Sequence, residues 1–432
     1  MNSINYEKSI VKITVQQLEI DLNHPLNLFS KNESTGTGFF IDDNVILTCY
    51  HVVNNALDII VDIYINELDK KKIKAKIKHI FPDDDLAIIE LLEFSTNYNC
   101  IKLNFSIITD THSNTEVNTI GYPLDTNNIK INRGIISGFQ DSMIQTDSTL
   151  NPGNSGGPLI INNKVIGVNQ SKYMEASNTG FAIPIFRFLI FWILKKNKLK
   201  FINKKPKLLI EYQEIKQGYD KFNLPLTINY GVIITKIAKL SILNTTNIKI
   251  NDILLKINNN KINNNGNIKF SFYPEKINLY EINLWFTEND ELELTYYSNN
   301  TKLIHTEKIV LKCINTHLIN YYYDENSQPY YYNNQGLIFS IITNYHLENL
   351  NNLNLTINQK VNIISRVNDI DCKFTIYLAD IDYKVLNFTE YPIGEIISEI
   401  DNIKIDNLNI FLNIMKTKIK KFKTINNNMY FI

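Results

Sequence analysis

Short apolar runs broken by turn residues fill residues 9–168. Examples are Val11-Lys12-Ile13-Thr14-Val15, Gly38-Phe39-Phe40-Ile41 and Asn44-Val45-Ile46-Leu47-Thr48. Leu86-Ala87-Ile88-Ile89-Glu90-Leu91, Val117-Asn118-Thr119-Ile120 and Lys164-Val165-Ile166-Gly167-Val168 continue the series. Many short strands with regular turn signals predict an all-β barrel or sandwich. The first clear helix pattern is residues 185–195, inside an apolar run over residues 181–194. That run holds Pro184 and Arg187 and is shorter than the about 20 residues of a membrane span. It reads as a buried or interfacial helix starting near Pro184, with no membrane span. The basic, Pro-containing stretch 195–207 reads as a linker.

Two later β-rich segments share a signal. One is Asn251-Asp252-Ile253-Leu254-Leu255-Lys256-Ile257-Asn258-Asn259. The other is Gly394-Glu395-Ile396-Ile397-Ser398-Glu399-Ile400-Asp401-Asn402. Each predicts a turn, a strand and a second turn, because Asn and Asp tolerate the left-handed backbone that turns need.

Composition bounds this picture. A chain of 432 residues is too long for one ordinary core and implies two or three domains. Hydrophobic residues make up 44% and aromatics 11%, enough for globular cores. Lys plus Arg number 44, as do Asp plus Glu, so no basic excess points to nucleic acid as a partner. Asn, Ile, Lys, Tyr and Phe are abundant, and all have AT-rich codons. The bias reads as genomic drift, of the kind found in a protist or a large DNA virus. Cys49, Cys100, Cys313 and Cys372 are scattered without metal-ligand spacing, so free thiols in a reducing compartment are expected. Residues 1–17 show no signal-peptide pattern. The expected location is cytoplasmic or nuclear, including cells infected by a large DNA virus.

The chemistry centres on Asn151-Pro152-Gly153-Asn154-Ser155-Gly156-Gly157-Pro158. A Ser hydroxyl needs a base and a site for the developing oxyanion. Glycines around Ser155 let the Gly153 and Ser155 N–H groups converge, with the Asn154 amide as a further donor. A plain Gly-rich turn has the same composition. Upstream, Thr48-Cys49-Tyr50-His51 closes an apolar strand, where a His can project as general base. Asp83-Asp84-Asp85 then enters the strand beginning at Leu86 and offers a carboxylate for His Nδ1–H. At least one of these three acids fits a solvated turn. The order His, Asp, Ser matches the chymotrypsin arrangement.

At this point the sequence resembles the HtrA/Deg-type serine proteases, closest to the plant-type Deg proteases. The motifs are Ser34-Thr35-Gly36-Thr37-Gly38-Phe39, Ile46-Leu47-Thr48-Cys49-Tyr50-His51-Val52-Val53, Asp85-Leu86-Ala87-Ile88-Ile89 and Gly121-Tyr122-Pro123. Arg133-Gly134-Ile135-Ile136-Ser137, Ile144-Gln145-Thr146-Asp147, the Ser155 cluster and Gly180-Phe181-Ala182-Ile183-Pro184 complete them. The resemblance implies a mainly β chain. A trypsin-like double β-barrel would occupy residues 1–200, a PDZ-like domain 205–314 and a divergent second one 315–432. It implies His51 as base, Asp85 as orienting acid and Ser155 as nucleophile. Leu150, Asn169, Gln170 and Ser171 would line the substrate pocket, with residues 169–179 as a loop that gates activity by ordering. Leu150 implies a small or medium aliphatic residue before the cut. No metal or organic cofactor is implied.

The same resemblance implies unfolded polypeptide substrates, peptide segments held by the PDZ-like domains and a trimer-based homo-oligomer. Leu209, in the carboxylate-binding turn Leu208-Leu209-Ile210, stands where the family commonly has Gly. Its side chain argues against standard terminal-peptide binding there. Tyr50 also departs from the small residue that many relatives carry before the His. The stretch 321–332 and the Asn-rich insertions imply an assembly or docking role for the last domain. The alternative reading is a chaperone or peptide-binding scaffold with a latent protease barrel.

Overall fold

The computed structural model describes residues 6–19, 21–26, 30–64, 69–93, 100–107, 113–170, 179–215, 228–313, 331–343, 346–347, 349–368, 375–382, 385 and 391–432. The alternating runs at the start of the chain become strands β1 (Ile10–Glu19), β2 (Ser30–Asp42), β3 (Val45–Cys49), β4 (Ala56–Tyr64), β5 (Lys70–Phe81) and β6 (Leu86–Leu91). They close a barrel in the order β1-β2-β3-β6-β5-β4, which leaves no sheet edge. Ile13, Val15, Val61, Ile63 and Ile73 are buried, while Lys72, Lys74 and Lys76 on β5 are exposed. This is the period-2 alternation of a one-faced strand. A single helical turn, α1 (Tyr50–Val53), follows β3.

A second barrel uses β7 (Asn104–Phe105), β8 (Glu116–Gly121), β9 (Lys130–Gln140), β10 (Met143–Thr146), β11 (Pro158–Ile161), β12 (Lys164–Gln170) and β13 (Gly180–Pro184). The order is β11-β8-β9-β10-β13-β12, closed by β11 on β12, with β7 alongside β12. Two-residue hairpins at Asp141-Ser142 and Asn162-Asn163 take positive φ at both positions, as hairpin twist requires.

Helix α2 (Ile185–Lys195) begins directly after β13, with Pro184 at its N-cap. The apolar run is therefore a strand end plus a helix, with Phe188 and Phe191 buried and Ile193 exposed. Among the described residues no helix is long and apolar enough to cross a membrane. The basic stretch after α2 differs from a free linker. It docks on the end of β5, where Ile80 donates to the Phe201 carbonyl and Asn203 donates to that of Ile80. Lys205 ends up buried.

Next come β14 (Ile210–Glu214), β15 (Val232–Ile237), β16 (Ile253–Ile257), β17 (Asn260–Lys261), β18 (Asn267–Lys269), β19 (Lys276–Asn278), β20 (Glu291–Tyr297) and β21 (Ile304–Val310). The main sheet runs β14-β15-β16-β20-β21, and Val232, Ile234, Leu254, Ile257 and Leu294 lie in its core. The contacts divide the chain into two compact units. The first holds residues 1–17, 32–237 and 241–313; the second holds 18–31, 238–240 and 314–432. The second unit contains β22 (Tyr331–Asn334), β23 (Leu337–Ile341), α3 (Ile357–Asn368), β24 (Ile376–Ile381), β25 (Ile397–Ile400), β26 (Ile403–Lys404), α4 (Leu408–Met415), β27 (Lys421–Thr424) and β28 (Met429–Phe431). Its core includes Phe339, Leu378, Ile400, Phe411 and Phe422. The Tyr-rich stretch lies outside the described residues up to position 330, as does Cys372, while Cys49, Cys100 and Cys313 are thiols outside any disulfide.

The two segments with a shared signal take the same local form. Asn251 and Gly394 have positive φ ahead of β16 and β25. Asn258-Asn259 and Asp401-Asn402 then make left-handed turn pairs into β17 and β26. The chain is thus mainly β, with two six-stranded barrels and further sheets consistent with PDZ-like domains.

Candidate active site

β3 is buried along its whole length, so the chain leaving it must turn, and α1 carries His51 at that point. β6 pairs with β3 from Cys49–Leu86 to Val45–Glu90. That register sets Asp85, just before Leu86, beside the turn that holds His51. Asp85 adopts φ 50 and ψ 39, the left-handed region. Its backbone carbonyl accepts from Tyr50 N at 2.8 Å. Its carboxylate accepts from His51 N at 2.9 Å and from His51 Nδ1 at 2.7 Å. Nδ1 therefore carries the proton, because an ionised carboxylate only accepts, and Nε2 is left as a base. Gln170 Nε2 also donates to Asp85, at 2.5 Å. Burial pushes the Asp85 carboxyl up, but the charge and hydrogen bonds of His51, with the Gln170 bond, outweigh it and hold the carboxyl below its usual range.

The Ser155 turn belongs to the second barrel, and glycines let it approach the first. Gly156 has φ +85, and a Cβ on it would sit 2.1 Å from the Thr37 carbonyl oxygen and 2.9 Å from Cys49 N. Only Gly permits that contact, and it brings the residue after Ser155 against the segment leading into His51. Gly153 has φ +96, with its Cα facing the Tyr122 carbonyl. Thr37, fully buried on β2, joins these parts. Its N–H donates to the Ser155 carbonyl at 2.9 Å and its hydroxyl to the Gly153 carbonyl at 2.6 Å. That hydroxyl accepts from Tyr122 N at 3.0 Å, and the Thr37 carbonyl accepts from Thr48 Oγ1 at 2.7 Å.

The peptides around Ser155 have fixed orientations. Leu124 N donates to the Pro152 carbonyl at 2.7 Å, so the Gly153 N–H of that trans peptide points the opposite way. Asn154, expected as a further oxyanion donor, directs its backbone N–H to the Asn151 carbonyl at 3.0 Å. Its Nδ2 is buried without a hydrogen-bond partner.

Among the expected pocket residues, Leu150 is half-buried against Gly180, where a Cβ would come within 2.8 Å of Leu150 Cδ1. Asn169 is fully buried and holds the turn. Its carbonyl accepts from Gly156 N and the Cys49 thiol, and its Nδ2 donates to the Pro158 carbonyl. Gln170 faces Asp85. Ser171 and residues 172–178 of the expected gating loop lie outside the described residues. Cys49 Sγ, a His51 ring nitrogen and an Asp85 oxygen lie within 4.8 Å of one another. The hydrogen bonds above account for that cluster without an ion.

The sequence placed Gln170 in the substrate pocket and Thr37 in a motif, but gave neither the Gln170 contact with Asp85 nor that of Thr37 with the Gly153 turn. The glycines on either side of Thr37 were a usable signal: a Cβ on Gly36 would collide with Val52. Gln170 carried none.

A model of the trypsin-like peptidase domain matches residues 36–168. Putative protease Do-like 13 of Arabidopsis thaliana is 35% identical over 189 residues, which are 41% of this chain and 37% of that protein. The serine protease DegP homolog of Plasmodium falciparum is 29% identical over 206 residues, 45% of this chain and 23% of that protein. Each match thus spans less than half the length of the curated relative. The solved HtrA-type protease AlgW with tripeptide has a TM-score of 0.52 at 18% identity, covering 71% of this chain and 94% of its own. That likeness shows the fold. Barrel topology and the matched model make residues 36–168 a trypsin-like peptidase domain, similar to the Do-like and DegP-like relatives above.

Proposed function

We propose that this chain is a serine endopeptidase that cleaves unfolded polypeptides without ATP. Ser155 attacks the peptide carbonyl. His51 Nε2 takes its proton and returns it to the leaving amine, while Asp85 fixes the ring and stabilises its charged form. The Gly153 and Ser155 N–H groups hold the oxyanion. Leu150 admits a small or medium aliphatic side chain. Loop ordering around residues 169–179 gates the site.

The observation that carries this reading is the double hold of Asp85 on His51, through backbone N and Nδ1. It leaves Nε2 in the tautomer a general base needs. Among the described residues β14 has a neighbour on one side only, which supports peptide binding there by strand addition. A trimer-based homo-oligomer rests on the resemblance alone.

The test is labelling of Ser155 by a fluorophosphonate, with casein cleavage in parallel. Wild type should label and cleave, and Ser155→Ala should do neither. A chain that binds peptides yet never labels, under any activating condition, would replace the protease reading with the scaffold one.

A further inference from the structure

We propose that Asp84, Arg187 and Lys205 form a buried charge cluster that positions Asp85 against His51, making them positioning residues for hydrolysis. This rests on the triad assigned above. Asp85 sits in the left-handed region at φ 50, a turn conformation that Asp tolerates, and the aim of its carboxylate depends on what holds that turn. Its own bonds hold it from the His51 side. The residue before it is held from the other side.

Asp84 ends the short 3-10 turn Pro82–Asp84, and its side chain is 1% exposed. Oδ1 accepts from Arg187 Nε at 2.7 Å, and Oδ2 lies 3.3 Å from Lys205 Nζ. Arg187, on α2, also donates from Nη2 to the Asp83 carbonyl at 3.3 Å. Lys205 donates its backbone N–H to the Asp83 carboxylate at 2.8 Å and Nζ to the Leu284 carbonyl at 2.8 Å. The Lys205 amine also lies 4.5 Å over the Phe191 ring. The Arg187 and Lys205 side chains are 5% and 0% exposed. Burial pulls the Lys205 amine down to about 8, against the pull of Asp84 and with the push of Arg187.

Such enclosed charges are rarely a source of stability, because desolvation opposes their attraction. Their effect here is geometric and electrostatic. Three consecutive carboxylates would repel one another, and each would weaken the ionisation of its neighbours. Arg187 and Lys205 answer Asp84, and Lys207 lies 3.9 Å from the Asp83 carboxylate, so Asp85 faces His51 as a single negative charge. An Asp85 oxygen from the turn and Cys49 Sγ from β3 lie within 4.8 Å of a His51 ring nitrogen.

The experiment uses the full chain. Lys205→Met leaves the turn more negative, so the acid limb of the kcat/KM profile should move up by about half a pH unit. Asp84→Asn leaves it more positive, and the limb should move down by a similar amount. A purely structural role would not give opposite signs. Arg187→Lys keeps the charge but loses the fork, so kcat should fall about tenfold with the limb and KM unmoved. The double variant Asp84→Asn with Lys205→Met restores charge balance and serves as the test where a single substitution fails to fold. Its limb should return to the wild-type position while kcat stays reduced. Folded variants with wild-type kcat and limb overturn the inference, and so does an unchanged kcat in the double variant. Fluorophosphonate labelling separates the two levels. An unlabelled wild type overturns the triad and this inference together, whereas a labelled wild type with unshifted variants overturns this inference alone.

Discussion

The Thr37 hydroxyl donates to the Gly153 carbonyl at 2.6 Å, so a first-barrel residue fixes the turn before Ser155 in the second barrel. Thr37→Val keeps the shape and removes the hydroxyl. The Gly153 carbonyl and Tyr122 N–H lose a buried partner, at about 1–3 kcal/mol for each group left unsatisfied. The expected result is a lower melting temperature and a kcat reduced about 10- to 100-fold with KM nearly constant. A KM change alone would mean that Thr37 shapes binding and leaves the oxyanion turn intact.

Gln170 supports the orienting acid. Gln170→Leu removes the bond to Asp85 Oδ2 and should lower kcat about tenfold. Gln170→Glu sets a second carboxylate against the first and should be more damaging at pH 7. The gap between the two variants should narrow as acid neutralises the introduced Glu. Steady-state rates from pH 5 to pH 8 check this, and equal rates throughout would separate Gln170 from Asp85.

Leu209 has φ 53, in the turn before edge strand β14. The left-handed region costs a side-chain-bearing residue roughly 1–2 kcal/mol. Leu209→Gly relieves that cost and removes the side chain from the turn. Peptides ending in a free carboxylate should then bind more tightly, as fluorescence anisotropy would record. Unchanged affinity would place terminal recognition elsewhere.

His346 is buried and hydrogen-bonded to Thr343 and Ser340, and burial lowers its pKa to about 3. An unfolded histidine titrates near 6.5. Below that value the unfolded chain gains a proton that the folded unit refuses. Stability is therefore full above about 6.5 and declines as pH falls towards 3, by about 2 kcal/mol at pH 5. Hydrogen exchange across residues 337–405 should quicken between pH 7 and pH 5. His346→Gln should lack that response, and identical pH sensitivity in the variant would assign it to other groups.

Features that depend on neighbouring residues were legible along the chain. Strand alternation, the helix after Pro184 and the Asn and Asp turn pairs are local preferences, and each segment took its expected form. The acidic run shows the limit. Nothing local separates Asp83, Asp84 and Asp85, and resemblance alone favoured the last. The fold gives them three environments: Asp83 partly exposed beside Lys207, Asp84 enclosed by Arg187 and Lys205, and Asp85 on His51. Only the tertiary structure decided that Lys205 leaves an apparent linker for the interior, or that Thr37 and Gln170 reach partners 116 and 85 residues away. Those contacts depend on how closed barrels pack, and barrel packing is fixed by the whole set of strand registers rather than by any one segment.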